Sequence, residues 1–179
     1  MTVVIGRIPE APSIVVLEYD RTALNEMVDL LSLYEAKTLR DKLGLAQYED
    51  MATSADDYEV LLQYYKDIFN ELTAWLSTVS YQTRLSSFFD LPQPESNSLC
   101  EFNIDLSLMQ ANMINVLDNN IDSVLKNYAL FRWFLTVNNA TSVAEKYNLL
   151  YQQAFENVKS NIRHQNDKTK RPTRRYNLI

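Results

Sequence analysis

Only two glycines, Gly6 and Gly44, occur in 179 residues, far below the usual share of about 7%. Hairpin-rich sandwiches and barrels need glycine at their tight turns, and phosphate-cradling loops need it for close backbone approach. Neither architecture has its raw material here. A single cysteine, Cys100, and a single histidine, His164, leave nothing for a zinc cluster, a disulfide framework or a histidine-based triad. No uninterrupted apolar run reaches the 18 or so residues of a membrane-spanning helix. The segment Met1–Pro12 has no basic stretch ahead of an apolar run, so it is not read as a signal peptide. What is present is 46% apolar and 22% charged residue content, which is globular rather than disordered. One domain's worth of chain of this length buries enough surface for its own core. These exclusions point to an all-α, non-catalytic, cytoplasmically made protein without cofactor or metal.

Charge is divided unevenly. Residues 163–179 hold six basic side chains against Asp167 alone, a net +5, whereas residues 1–162 hold 11 basic and 22 acidic, a net -11. An acidic body repels nucleic acid, and a basic tail seeks an anionic partner.

Residues 1–19 carry two β-branched runs, Thr2–Ile5 and Ile14–Leu17, separated by Pro9 and Pro12. They are read as an extended arm or an edge strand, folded on its own domain or added to a neighbouring subunit. Residues 20–166 form the helical domain. Helix one spans Ala23–Leu43, with Asp20 or Thr22 as cap, an apolar face of Leu24, Met27, Val28, Leu31 and Tyr34, and Gly44 as its C-terminal stop. Helix two starts near Asp56-Asp57 and reaches about Thr78. Its rows Leu61, Tyr65, Ile68, Leu72, Trp75, Val79 and Leu62, Phe69, Leu76 make the wide stripe of a bundle helix. It is expected to break near 77–80 and resume through Arg84–Phe89. Pro92, Pro94 and Ser96 then mark a loop, after which Cys100, Phe102, Ile104 and Leu106 alternate with polar residues as a short strand over 100–106 does. A pairing of this strand with the N-terminal arm is one option. Helix three runs from about Leu108 to Val137. After the turn Asn138-Asn139, helix four runs to about His164, capped by Thr141 or by the Ser142–Glu145 box. The short turn makes the two an antiparallel hairpin.

No residue set with catalytic spacing emerges. Cys100 is read as a small core residue, His164 as a cation suited to a helix C-terminus, and Asp56, Asp57, Asp118 and Asp122 as caps and solvated faces. The 20 aromatic residues cluster on helices, mainly as core. Trp133 and Phe134 flank the Phe131/Leu135 face, so the end of helix three is apolar all round. Both are interface candidates for another chain.

The tail, residues 167–179, has no helical stripe, and Pro172 discourages a continuous helix. A solvated tail, a nucleic-acid arm and a docking peptide are the three readings. Its ending favours the last: Lys168, Lys170, Arg171, Arg174 and Arg175 supply charge, and Tyr176, Leu178 and Ile179 supply apolar area that phosphate binding does not need. The tail is expected to be disordered alone and to order against a partner chain.

The segment Tyr128–Leu135, the brief turn, the following Glu145-Lys146-Tyr147 and the closing Lys170–Arg175 together resemble the C-terminal part of neck proteins of tailed bacteriophages, covering a quarter to a third of the chain. The resemblance implies a helical head–tail connector, or portal adaptor, built as a homo-oligomeric ring of twelve copies in the virion neck. Its partners are then the portal and tail proteins, with no membrane and no specific nucleic-acid recognition. By the resemblance, residues 108–164 match the bundle and Lys170–Arg175 the docking tail. The alternatives are a DNA-packaging accessory using the basic tail, and a small helical subunit of a large cellular assembly.

Overall fold

In the computed structural model the described residues are 4–5, 14–43, 51–79, 84–86, 98–105, 111–138 and 140–169. The elements are β1 (Val4–Ile5), β2 (Ile14–Asp20), α1 (Arg21–Leu43), α2 (Tyr58–Val79), β3 (Arg84–Ser86), β4 (Ser98–Asp105), α3 (Ala111–Thr136) and α4 (Thr141–Thr169). The four helices make up more than half of the chain, as the three–four periodicity predicts.

Beside the helices lies a small antiparallel sheet in the order β1-β2-β4-β3. The expected strand near 100–106 is β4, and it pairs with the N-terminal arm, Leu17 opposite Phe102 and Tyr19 opposite Cys100. β2 is therefore an inner strand with β1 on its far side, Val4 opposite Val16. The arm folds on its own domain. Leu17, Tyr19, Cys100 and Phe102 are buried while Glu18 is exposed, so the pleat's period of two sorts the faces. Leu99 breaks the alternation: the register slips there, between the Tyr19–Cys100 and Asp20–Ser98 pairs, and the extra residue turns inward at 2% exposure.

The expected helical resumption at 84–89 is overturned for residues 84–86. They form β3, pairing Leu85 with Phe102, because the β4 edge offers hydrogen bonds that a one-turn helix cannot match. β2 passes directly into α1, where Asp20 Oδ1 accepts the Ala23 N–H at 2.8 Å. Of the two cap candidates, Asp20 is the cap. Gly44 lies outside the described residues.

A 3₁₀ turn, Ala55–Asp57, leads into α2, and Ser54 donates through both its N–H and its hydroxyl to Asp57 Oδ2 at 2.9 Å. The Leu61, Tyr65, Ile68 and Leu72 row is wholly buried, with Phe69 at 2% and Trp75 half-buried. Phe102 meets Phe69 at a centroid distance of 5.0 Å and Tyr19 at 6.0 Å, which fastens sheet to helix. α3 and α4 are antiparallel, since Phe134 stacks on Tyr147 and Tyr128 meets Tyr151 edge to face. The Ala140 carbonyl accepts the Val143 and Ala144 N–H groups, so α4 begins at Thr141. Thr141 and Ser142 lie in its first turn rather than at the cap. Its far end continues to Thr169, past His164 and into the segment read as tail.

Polar ties complete the frame. Asp29 of α1 accepts from the Tyr58 hydroxyl at 2.7 Å and from the Thr53 hydroxyl at 2.5 Å, and Ser32 Oγ accepts the Thr53 N–H at 2.9 Å. This knot holds the start of α2 against α1. Glu35, 6% exposed, takes Lys146 Nζ and the Tyr147 hydroxyl from α4.

Phe102→Ala is expected to lower stability by about 3–5 kcal/mol, the usual cost of an emptied aromatic site. Urea unfolding should show it as a fall in midpoint at unchanged slope.

Candidate functional site

A cleft of about 420 Å³ opens where the end of β2, the first turns of α1 and the first half of α3 converge. Its floor is apolar, from Ala23, Leu24 and Met27, and its walls carry the carboxylates of Glu18, Asp20, Asp118 and Asp122, with Lys126 the one cation lining it among the described residues. The local sequence accounts for each position. The strand's alternation turns Glu18 to solvent, Asp20 is fixed by its cap bond, and Asp118, Asp122 and Lys126 recur at four-residue spacing along one face of α3.

The carboxylates differ in state. Asp118 is 3% exposed and its Oδ1 accepts the Tyr19 hydroxyl at 2.9 Å. Burial raises its carboxyl above the ordinary carboxylate range and nearby Asp122 adds to the rise, against the lowering effect of the Tyr19 bond. Burial likewise pushes the Tyr19 hydroxyl well up, with the Asp118 charge and hydrogen bond reinforcing it. The phenol thus stays a donor. Asp122 is half-exposed and pairs with Lys126 Nζ at 2.5 Å. Glu18, on the rim, is exposed.

The remaining candidate residues sort clearly. Cys100 is fully buried, and burial alone pushes its thiol far above the range where a thiolate forms, so it packs as expected. Asp57 serves the turn before α2. The His164 side chain lies outside the described residues. Among the described residues no three histidine, cysteine or acidic side chains are grouped to hold a metal ion, and no helix is long and apolar enough to cross a membrane.

One of the two interface candidates, Phe134, needs correction. Phe134 is 0% exposed, stacked on Tyr147 with the ring planes 11° apart. The cover assigned to another chain comes from α4. Trp133 is half-buried, and its Nε1 donates to the Met51 carbonyl at 2.9 Å. The segment before α2 therefore shields that side. Of the docking residues, Lys168 lies on the α4 backbone with its side chain outside the described residues. Lys170, Arg171, Arg174, Arg175, Tyr176, Leu178 and Ile179 lie outside them altogether.

An exposed apolar stripe escaped the sequence reading. Leu24, Val28 and Leu39 of α1 are buried together with Asn25, Ser32 and Glu35, whereas Met27, Leu30 and Tyr34 are 42%, 64% and 66% exposed. With Ala23, these outward residues step by 4, 3 and 4, the seam spacing of helix pairs. The presence of Asn25, Ser32 and Glu35 in phase with Leu24 and Val28 obscured which side faces inward.

No protein-family model, curated protein or solved structure matches the chain.

Asp118→Asn keeps the acceptor for Tyr19 and removes the ionisable group. Because the folded carboxyl holds its proton to higher pH than the unfolded one, wild-type stability relative to Asp118→Asn should fall as pH rises from about 4 through the raised folded value. Thermal midpoints of both proteins between pH 4 and 7 check this, and parallel curves would contradict the shift.

Proposed function

We propose that the chain is a structural subunit that works by assembly, a head–tail connector whose copies form a ring between the portal and tail of a tailed phage. The observation that carries the assembly reading is the Met27–Leu30–Tyr34 stripe. Three large apolar side chains stand at seam spacing on a helix whose other side is already packed into the core. Among the described residues the Asp29, Glu35 and Asp57 carboxylates bind their own fold. The phage reading is narrower. It draws on the resemblance of Tyr128–Leu135 and Glu145–Tyr147, which lie in the α3–α4 hairpin with its aromatic contacts, and on the basic residues Lys170–Arg175. The tail is the segment expected to grip the portal or the next subunit, ordering as it binds. Ion pairs at a surface contribute about 0–1 kcal/mol each, so Tyr176, Leu178 and Ile179 matter at least as much as the arginines.

Mass photometry of the purified protein, alone and with the portal of the same virion, should give a closed oligomer of defined mass. Leu30→Glu with Tyr34→Glu, both at exposed positions, should abolish it while leaving the circular dichroism spectrum unchanged. A chain that stays monomeric with and without portal contradicts the proposal. A salt-sensitive DNA gel shift lost on deleting residues 167–179 would instead favour a DNA-packaging accessory.

A further inference from the structure

The cleft and the tail are complementary. Residues 170–179 carry four cations and no acid, then end in Tyr176, Leu178 and Ile179. Of the acids that line the cleft, Glu18 and Asp122 stand at the surface, Asp122 paired with Lys126, while Asp118 is buried against Tyr19; the apolar floor is Ala23, Leu24 and Met27. We infer that this cleft is the seat for residues 170–179 of a neighbouring copy. The inference rests on the assembly reading above and names the contact by which one copy holds the next.

Three physical points favour this occupant. Arginine guanidinium groups make charge-assisted, often bidentate bonds with carboxylates, and Glu18 stands exposed on the rim with Asp122 half-exposed beside it. Apolar side chains need apolar area to leave water, and Met27, 42% exposed, continues from the cleft floor into the α1 stripe. The direction of approach selects a neighbour's tail over the chain's own. At about 100° per residue, Asp118, Asn119, Asp122 and Lys126 lie on one side of α3, while Tyr128 and Phe134, the residues whose rings meet α4, lie on the other. α4 thus runs to Thr169 along the side of α3 away from the cleft. Ten residues span at most about 33–36 Å, and part of that length is spent rounding the helix. A neighbour's tail meets the open side directly, and heterologous contacts of this kind form a ring where the rotation between copies closes.

The test uses full-length chains. Cys100 is fully buried, so introduced cysteines report without background. An Asn119→Cys copy, its thiol at the cleft wall, is mixed with an Asn177→Cys copy under mild oxidant. A mixed disulfide is expected, with a marked loss when the Asn119→Cys copy also carries Glu18→Lys. Equal pairing of the Asn177→Cys copy with a Ser160→Cys copy, exposed on α4, would overturn the seat. A chain carrying both Asn119→Cys and Asn177→Cys should give a ladder of linked copies. Internally bridged monomers would show instead that the chain's own tail fills the cleft. Mass photometry of the same samples under reducing conditions separates the two proposals. An intact oligomer without the mixed disulfide overturns the seat and leaves the assembly reading standing, and monomers throughout overturn both.

Discussion

The pairing of β2 with β4 is the constraint on which the rest depends. It joins residues 14–20 to residues 98–105, so a loop of some eighty residues must close before its hydrogen bonds form. Closure entropy grows only with the logarithm of loop length, and the buried face offsets it, because Leu17, Tyr19, Cys100 and Phe102 leave water together. Phe102 then decides where α2 sits through Phe69, and Asp20 decides where α1 starts. Tyr19 carries the same strand onto α3 through Asp118. One two-stranded ladder thereby positions three of the four helices.

The fourth, α4, is held by aromatic packing and by a buried acid. Phe134 on Tyr147 and Tyr128 on Tyr151 make the hairpin rigid, while Glu35 reaches across from α1 to Lys146 and Tyr147. A carboxylate at 6% exposure is costly unless it is paired, so Glu35 acts less as a stabiliser than as a register pin. Lys146 is half-exposed, which keeps its own desolvation small. Burial pushes the Tyr147 hydroxyl upward, and the Glu35 charge adds to this, so the phenol remains a donor.

The same junction creates the cleft. A strand that ends on a helix cap, beside a helix carrying acids at four-residue spacing, leaves a concave surface with carboxylates above an apolar floor. Asp118 is drawn into the fold by Tyr19, whereas Asp122 and Glu18 remain at the surface. Burial alone separates a structural acid from two that can meet a partner. The α1 stripe adjoins it through Met27, so acidic and apolar surface lie on one continuous face.

Local periodicity determined the four helices, the α3–α4 hairpin, the α2 stripe and the β4 alternation, because each is a pattern of burial along a single element. Asp20, one of two plausible caps, was legible for the same reason, as was Cys100 as a core residue. Pairing of β4 with the arm was readable only as an option, since a sequence does not say which strand neighbours which. Residues 84–86 were misread because three residues are too few to show a period, and the open β4 edge chose for them. Phe134 was misplaced because an apolar helix end calls for cover but does not say whose, and α4 supplied it. The inward phase of α1 was hidden by Asn25, Ser32 and Glu35, of which Ser32 and Glu35 are tolerated inside because Thr53 and Lys146 reach them. The cleft lay beyond the sequence altogether. Glu18 and Asp122 are about a hundred residues apart in the chain, and only the closure of β2 onto β4 and α3 brings them to one surface.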